Sequence, residues 1–455
     1  MIVTEILRLM EGWRPAFRQG RTHAMAVRMA LATLWVLGRN TISQRIVVLR
    51  QHRGDWNKFF RLFSKRQWDN EALFNVVLEA ARAFCPGRYV VVAADDTVAR
   101  KTGKQIYSVG YLRDPLSPKF RYNLALGLRF VQLSLLLPLY ALEAVGAACA
   151  LPIRYQLAAV IRPPKGKRGL TAAEQEAYEQ AKQRNTLSHY LVDIVRGLRG
   201  WMTDNGLADK VLLLVVDNGY CNRTVFGSAL AGVQLLARAR ANYRLYASAA
   251  GEGAGFTPEE VRKDKERRWR TAGVHFGGGQ QTIKYKEVPT LCWPGGSAAR
   301  VLRLLVIAST PYRRRKYARM CYRQPGYLLT TDLTAPAEFL LQSYFDRWQI
   351  EVNHRDEKTV IGVGDAQVHA QSAVERAPAF AVAAYSLLKL ATLRALGPTR
   401  TPDYPELPAW YAGARRPSCE DMLQKLRREA CEHPELTAPW GVQLTPEGLI
   451  AACRA

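Results

Sequence analysis

The stretch Tyr89-Val-Val-Val-Ala-Ala-Asp95-Asp96-Thr97 decides the fold class of this chain. Its apolar run is uninterrupted and ends directly in acids, which is typical of a central strand buried on both faces. A second run, Val211–Val216, ends in Asp217 in the same way. A single aspartate at a strand end is usually a turn or cap residue, but two of them indicate a site. Ligands gather at the carboxyl ends of strands in open α/β sheets, so we expect these acids to lie together.

Helix and strand patterns alternate around these two runs, which predicts an α/β fold. Further strands are expected at 121–130, 132–139 and 327–330. Helices are expected at 171–198, at 223–230 and from Ala337 past Lys358. Residues 243–330 are rich in tyrosine and glycine with short alternating runs, which indicates antiparallel strands inserted into the α/β body. Residues from about 373 onward are predicted helical, with a proline-rich break at 398–408 and a last helix opened by Ser418.

Residues 1–85 predict helices. Apolar residues recur at spacings of three and four between Met25 and Leu37, and Gly38-Arg39-Asn40 then breaks the pattern. Thr41 or Ser43 is expected to cap a second helix, with Arg45, Arg50 and Arg53 facing outward. This arrangement resembles a helix-turn-helix. An ordinary helical hairpin with a solvated basic face explains the pattern equally well.

Composition bounds the classes of function. The 455 residues include 65 Lys and Arg against 39 Asp and Glu, a net charge of +26, which implies a polyanionic partner and most simply nucleic acid. The apolar run at 130–153 is interrupted by Gln132, Pro138 and Glu143, which argues against a membrane span. Eight cysteines without a CxxC pair indicate neither a disulfide scaffold nor a zinc site, and no signal peptide is evident, so the cytoplasm is expected.

One helical face combines an acid with cations. Tyr344, Arg347, Glu351, His354 and Lys358 are separated by 3, 4, 3 and 4 residues and therefore share a face. Phe345, Trp348 and Val352 form a neighbouring apolar stripe that is expected to pack on the sheet. A solvated salt-bridge face is the alternative on spacing alone.

The spacing Tyr-x2-Arg-x3-Glu-x6-Lys at these positions resembles the third-acid signature of a bacterial insertion-sequence family of DDE transposases, the cut-and-paste class. Asp95-Asp96-Thr97, followed by Arg100-Lys101-Thr-Gly-Lys104, is similar to the first-acid segment of that family. Val215-Val-Asp217-Asn-Gly-Tyr is similar to its second. The resemblance covers roughly residues 85–390.

The resemblance implies an RNase H-like mixed sheet flanked by helices, with a β-rich insertion and helical N- and C-terminal regions. It also implies two Mg²⁺ ions, with Mn²⁺ as a substitute, held by Asp96, Asp217 and Glu351. Carboxylate oxygens are the ligands that these hard ions prefer. The first acid is ambiguous by one residue. Asp96 is favoured because it directly precedes threonine, and Asp95 is the alternative that orients it.

DNA contacts are implied by the same resemblance. Arg347 and Lys358 would hold phosphates beside the metals, with a hydrogen bond from Tyr344. Arg238 and Arg240 would bind phosphate after the second acid, although a charge pair at the sheet edge is equally consistent. Lys101 and Lys104 would line the DNA channel. His354 is interpreted as a packing or DNA-contact residue, and Trp269 or Trp293 as core residues or as the stack for a flipped base.

The expected protein is therefore a transposase that binds terminal inverted repeats and catalyses metal-dependent cleavage and strand transfer. Its expected partners are DNA and a second copy in a homodimer, with no membrane, in the bacterial cytoplasm at the nucleoid. The alternatives are an RNase H-like nuclease without strand transfer and a domesticated DNA-binding regulator. The expected domains are a DNA-binding region (1–85), a catalytic core in two parts (86–242 and 326–372), an insertion (243–325) and a helical C-terminal region for dimerisation (373–455).

Overall fold

The protein is an α/β structure in which a mixed sheet is flanked by helices, and this fold class was correctly predicted from the sequence. The computed structural model describes residues 1–114, 117–118, 120–121, 123–139, 148–162, 171–247, 253–297, 300–315, 317–411, 413 and 415–447.

The strands form one large sheet and one small hairpin within the described residues. Their bounds are β1 Tyr89–Arg100, β2 Gly110–Arg113, β3 Leu124–Leu137, β4 Cys149–Ala158, β5 Val211–Val216, β6 Val233–Arg238, β7 Arg270–Phe276, β8 Gly279–Cys292, β9 Val301–Ile307, β10 Pro311–Arg313, β11 Met320–Tyr322 and β12 Gly326–Thr330. The β10–β11 pair stands alone, and the other strands share the large sheet.

The sheet is built around β1. This strand pairs antiparallel with β3 and parallel with β5, and β5 in turn pairs parallel with β6. With β4 on the outer side of β3, the order β4-β3-β1-β5-β6 is the RNase H-like arrangement. The sheet then continues antiparallel through β12, β9, β8 and β7. The predicted antiparallel strands of the insertion are therefore present, and they extend the catalytic sheet.

The helices cover the faces and ends of this sheet. Their bounds are α1 Ile2–Glu11, α2 Gly20–Trp35, α3 Ile42–Val48, α4 Asn57–Ser64, α5 Asn70–Ala81, α6 Ala172–Arg184, α7 Leu187–Asp204, α8 Arg223–Phe226, α9 Pro258–Lys263, α10 Pro294–Ser297, α11 Ala337–Asp346, α12 Gln349–Thr359, α13 Gln371–Leu396, α14 Cys419–Glu432 and α15 Pro434–Thr437.

Several predicted elements have different bounds in the structure. The two strands expected between 121 and 139 form one long strand, β3. The helix expected at 171–198 is two helices, because the Thr186 hydroxyl caps a new one by accepting from the His189 amide. The helix expected from Ala337 past Lys358 is also broken, at Arg347–Trp348. Trp348 was expected to pack on the sheet, but at this break its side chain is 57% exposed.

The basic face predicted for α3 is wrong at Arg45. Thr41 caps the helix as expected, but the Arg45 side chain is buried and donates from Nε to Asn40 Oδ1 at 2.8 Å. Burial lowers the pKa of this guanidinium to about 10. The Asn40 amide also donates to the carbonyl of Ile361 at 2.9 Å, which ties the α2–α3 turn to the loop after the Glu351 helix. Arg45 therefore stabilises the α2–α3 turn from inside the protein and is not part of an exposed basic face.

The N- and C-terminal helices share a core. The Phe380 ring of α13 lies 5.6 Å from that of Trp13 and 5.3 Å from that of Phe63. Glu429 of α14 accepts a hydrogen bond from the Val3 amide at 3.0 Å. Helix α13 is long and apolar enough to span a membrane, but 78% of its most apolar window is buried inside the protein. Helix α13 thus packs against helices from both ends of the chain. The domain boundaries predicted from the sequence stay a prediction.

Candidate active site

The acids of β1 and β5 meet at one edge of the sheet. The parallel register pairs Ala94 with Val216, so Asp95 and Asp217 follow on neighbouring strands. Asp217 accepts a hydrogen bond from the Gly219 amide at 2.8 Å, which fixes its carboxylate in the turn after β5. The prediction that these acids lie together is therefore confirmed, but only Asp217 follows a strand end, because β1 continues past Asp95 and Asp96 to Arg100.

Helix α12 brings the third acid to the same place. Its Ile350 packs against Ala93 of β1, so the helix lies across the face of the sheet that carries Asp95. Carboxylate oxygens of Asp95 and Glu351 and a ring nitrogen of His354 lie within 4.8 Å of one another. Two separate segments of the chain thus contribute to this cluster, and Asp217 lies close enough to raise the pKa of Asp95.

Arg347 lies between two of the acids. Its Nη1 is 3.6 Å from Asp95 Oδ2 and 3.9 Å from Glu351 Oε1, and its side chain is 13% exposed. The break between α11 and α12 places this arginine at the start of the catalytic helix, directed at the carboxylates. Arg347 therefore neutralises the acid pair, in addition to the phosphate contact expected from its sequence position.

The environment of Asp95 disfavours its charged form. Burial and the neighbouring Glu351 and Asp217 together raise the pKa of this carboxyl to about 8, against the opposing Arg347. Carboxylates crowded in this way are stabilised by a cation among them. The carboxylate oxygens of Asp95 and Glu351 are ligands that a hard divalent ion prefers.

Asp96 occupies a different position from Asp95. Successive residues of a strand point to opposite faces, and Asp96 faces Arg129, whose Nε lies 3.5 Å away, and the Tyr220 hydroxyl, also at 3.5 Å. Burial raises the pKa of Asp96, Arg129 opposes this, and Asp217 adds to it. Among the described residues Asp96 is outside the Asp95–Glu351–His354 cluster. Sequence reasoning gave Asp96 the metal and Asp95 the orienting role. In the structure Asp95 is the aspartate that shares a cluster with Glu351, and which of the two binds metal stays a prediction.

A buried polar network holds α12 from behind. Asn353 donates to Ser134 Oγ of β3 at 3.2 Å and accepts from Lys389 Nζ of α13 at 2.7 Å. The Tyr385 hydroxyl donates to Asp356 at 3.1 Å. Sequence reasoning missed these residues, although the spacing of Ile350, Asn353 and Glu357 places them on one helical face. Asn353 and Glu357 are polar but share a helical face with the apolar Ile350, and this combination is the sequence signal that could have identified the network.

Glu357 is the most unusual member of this inward face. It is 1% exposed, and neither carboxylate oxygen makes a hydrogen bond within the described structure. Burial raises its pKa to about 8, opposed by the nearby Gln132, Lys389 and Lys358. Glu357 is therefore protonated when the protein is at neutral pH.

The predicted DNA-contact residues differ in their burial and in their distance from the acids. Lys358 borders the same cleft as Glu351, and burial lowers its pKa while Glu357 and Glu351 oppose this. Tyr344 is partly buried against the sheet beside Phe345. Arg238 and Arg240 are exposed at the end of β6, and within the described residues neither pairs with a carboxylate. The charge-pair alternative for these two arginines is therefore not found.

Two adjoining clefts lead away from Glu351. Their volumes are ≈ 620 and ≈ 610 Å³, and both are lined by Arg100 and Gly364. Lys101 lines the second, but its Nζ donates to the Gly364 and Ala366 carbonyls at 2.6 and 2.9 Å. It thus fixes the wall of the cleft, while Lys104 is exposed nearby.

The two tryptophans of the insertion differ in exposure. Trp293 is 7% exposed and stacks on Tyr243 with 4.5 Å between ring centroids, so it is a core residue. Trp269 is 38% exposed, and Lys286 Nζ lies 4.7 Å from its ring. Of the two, only Trp269 presents a surface for stacking.

A mixed sheet of this topology with acids from β1, β5 and a crossing helix defines an RNase H-like nuclease. The chain belongs to a particular family of that class: a family model described as DDE superfamily endonuclease matches residues 14–300, more than half of the chain. The matched segment includes Asp95, Asp96 and Asp217 and ends before Glu351. No curated protein matches the chain.

Membership of this family makes the protein a nuclease-type enzyme that acts on DNA and uses divalent metal ions. The seven described cysteines are free.

Proposed function

We propose that the protein is a transposase that binds the terminal inverted repeats of its own insertion sequence, cleaves the DNA and joins it to a target. The observation that carries this proposal is the convergence of Asp95, Asp217 and Glu351 from separate segments, next to Arg347 and Lys358. The third-acid spacing of the cut-and-paste class supports strand transfer in addition to cleavage.

The acids would hold two divalent ions, Mg²⁺ or Mn²⁺, through Asp217, Glu351 and one residue of the Asp95–Asp96 pair. When bound, such ions activate an attacking water or 3′-hydroxyl and neutralise charge on the leaving oxygen. The protein's own part is to position the groups. Arg347 and Lys358 bind phosphate oxygens beside the acids, and Arg238 and Arg240 bind the backbone farther along.

The cleft that runs from Glu351 past Arg100 is the proposed path of the DNA strand. Its basic border agrees with the charge of +26, which would supply sequence-independent affinity for phosphates. A homodimer in the synaptic complex and a cytoplasmic, nucleoid-associated location follow from the proposed activity, because both ends of an element must be held together while they are cut.

The experiment is cleavage of an end-labelled duplex that carries the inverted repeats flanking the gene, with Mg²⁺ present. Asp217→Asn and Glu351→Gln are expected to lower the cleavage rate by at least about a hundredfold, since each removes a metal ligand. Binding of the duplex, measured by fluorescence anisotropy, should be retained. Asp193→Asn, at an exposed acid paired with Arg196, is the matched control and should cleave normally.

Unchanged cleavage in either active-site variant would contradict the assignment of the acids. Cleavage without any joined product, when a target duplex is supplied, would reduce the function to that of a nuclease.

A further inference from the structure

His354 is a buried side chain with an unused nitrogen at the acid cluster. It is 6% exposed, and its Nε2 is buried without a hydrogen-bond partner among the described residues. A buried polar atom without a hydrogen-bond partner destabilises the folded state. A group outside the polypeptide that bonds this nitrogen would recover the cost.

The surroundings of the ring are those of a metal ligand. A ring nitrogen of His354 lies within 4.8 Å of carboxylate oxygens of both Asp95 and Glu351. A metal ion binds the lone pair of a neutral imidazole, and the buried Nε2 makes no other bond among the described residues.

We infer that His354 is a ligand of one of the two divalent ions, together with Asp95 and Glu351, and that this position consequently prefers Mn²⁺ to Mg²⁺. The inference rests on the proposed metal site and specifies its donor set. Mg²⁺ takes oxygen ligands almost exclusively, whereas imidazole is a good ligand for transition ions. The position would thus differ from a site built only of carboxylates.

The alternative for His354, a packing role alone, leaves its nitrogen and the acid pair as unrelated features. Glu351 and His354 are three residues apart on α12, which places them on adjacent turns of one helical face. This spacing argues against coincidence. Asp95 reaches the same point from the sheet below. Two elements therefore present three donors to one small volume.

The test is electron spin-echo envelope modulation of the full-length protein with one equivalent of Mn²⁺ and no DNA. A nitrogen ligand gives a ¹⁴N modulation that carboxylate and water oxygens do not give. We expect this modulation in the wild type and its loss in His354→Gln. His52→Gln, at an exposed histidine, is the control and should keep it.

Metal affinity supplies a second readout. His354→Gln is expected to weaken Mn²⁺ binding about tenfold, with a smaller change for Mg²⁺ measured by competition. If Mn²⁺ binds the wild type without ¹⁴N modulation while Glu351→Gln abolishes binding, the role of His354 is wrong and the acid site stands. If Asp217→Asn and Glu351→Gln both leave Mn²⁺ binding intact, the proposed function fails instead.

Discussion

The choice between Asp95 and Asp96 depends on one residue of strand register. A shift of one position moves a side chain to the other face of a sheet, and only the face of Asp95 carries Ile350 and the start of α12. The motif places both aspartates after an apolar run, but it does not say which face the helix covers. The sequence therefore predicts the position of the acids to within one residue, and the packing of α12 determines which of the two aspartates faces Glu351.

Asp95→Asn is expected to abolish metal-dependent cleavage, and Asp96→Asn to reduce it less, because only Asp95 shares the cluster with Glu351. Cleavage rates at saturating Mn²⁺ are the measurement, with retained DNA binding as the control for folding. A larger loss of cleavage rate in Asp96→Asn would support Asp96 as the metal ligand, as expected from the sequence.

Glu357 predicts a pH dependence of stability. Its folded pKa of about 8 is above that of an exposed glutamate, so between about pH 4.5 and 8 the folded state binds more protons. The contribution of Glu357 to stability is therefore complete at low pH and is lost as the pH rises toward 8.

Glu357→Gln removes this titration. The free energy of unfolding of the variant, relative to wild type, is expected to increase by on the order of 3 kcal/mol between pH 5.5 and 8. Urea denaturation at both pH values measures it, and Glu420→Gln, at an exposed glutamate, is the control. Parallel pH profiles for wild type and Glu357→Gln would show that Glu357 is charged in the folded protein.

At the scale of elements, α12 is held by polar contacts whose partners cannot be identified from its sequence pattern. The break after α11 and the bond from Asn353 to Ser134 arise from tertiary packing, which local propensity does not encode. Capping signals were more reliable. Thr41 and Ser418 begin helices where expected, because a cap is a local interaction.

Asn353→Ala is expected to lower the free energy of unfolding by about 2 kcal/mol, since it removes the buried hydrogen bonds to Lys389 and Ser134. Asn205→Ala, at an exposed asparagine, should change it by less than about 0.5 kcal/mol. Chemical denaturation measures both. Equal effects for the two variants would mean that the network does not hold the helix.

At the scale of the whole molecule, the α/β class follows from the two apolar runs and the alternation around them. The continuation of the sheet from β6 into the insertion does not, because long-range pairing leaves no signature in a single sequence. The shared core of the terminal helices was hidden for the same reason. Helical periodicity shows that a face is buried, but it does not identify the partner.

Phe380→Ala tests that shared core. The variant is expected to lose about 3–5 kcal/mol of stability, because the ring contacts Trp13, Phe63 and Trp68 and has no exposed surface. Unfolding followed by tryptophan fluorescence is the measurement. Phe120→Ala, at a side chain that is 91% exposed, is the control. If Phe380→Ala lost no more stability than this control, the terminal helices would not depend on α13.

The position of α13 also has a consequence for synthesis. Helices α1 to α5 leave the ribosome first, but their packing partner is translated only after the entire catalytic sheet, a delay of about 15–60 s at typical elongation rates. During that interval the exposed apolar faces of the nascent helices are available to chaperones. An incomplete polypeptide released early would contain the N-terminal helices without α13 and would lack Glu351, so neither the shared core nor the acid cluster would form in it.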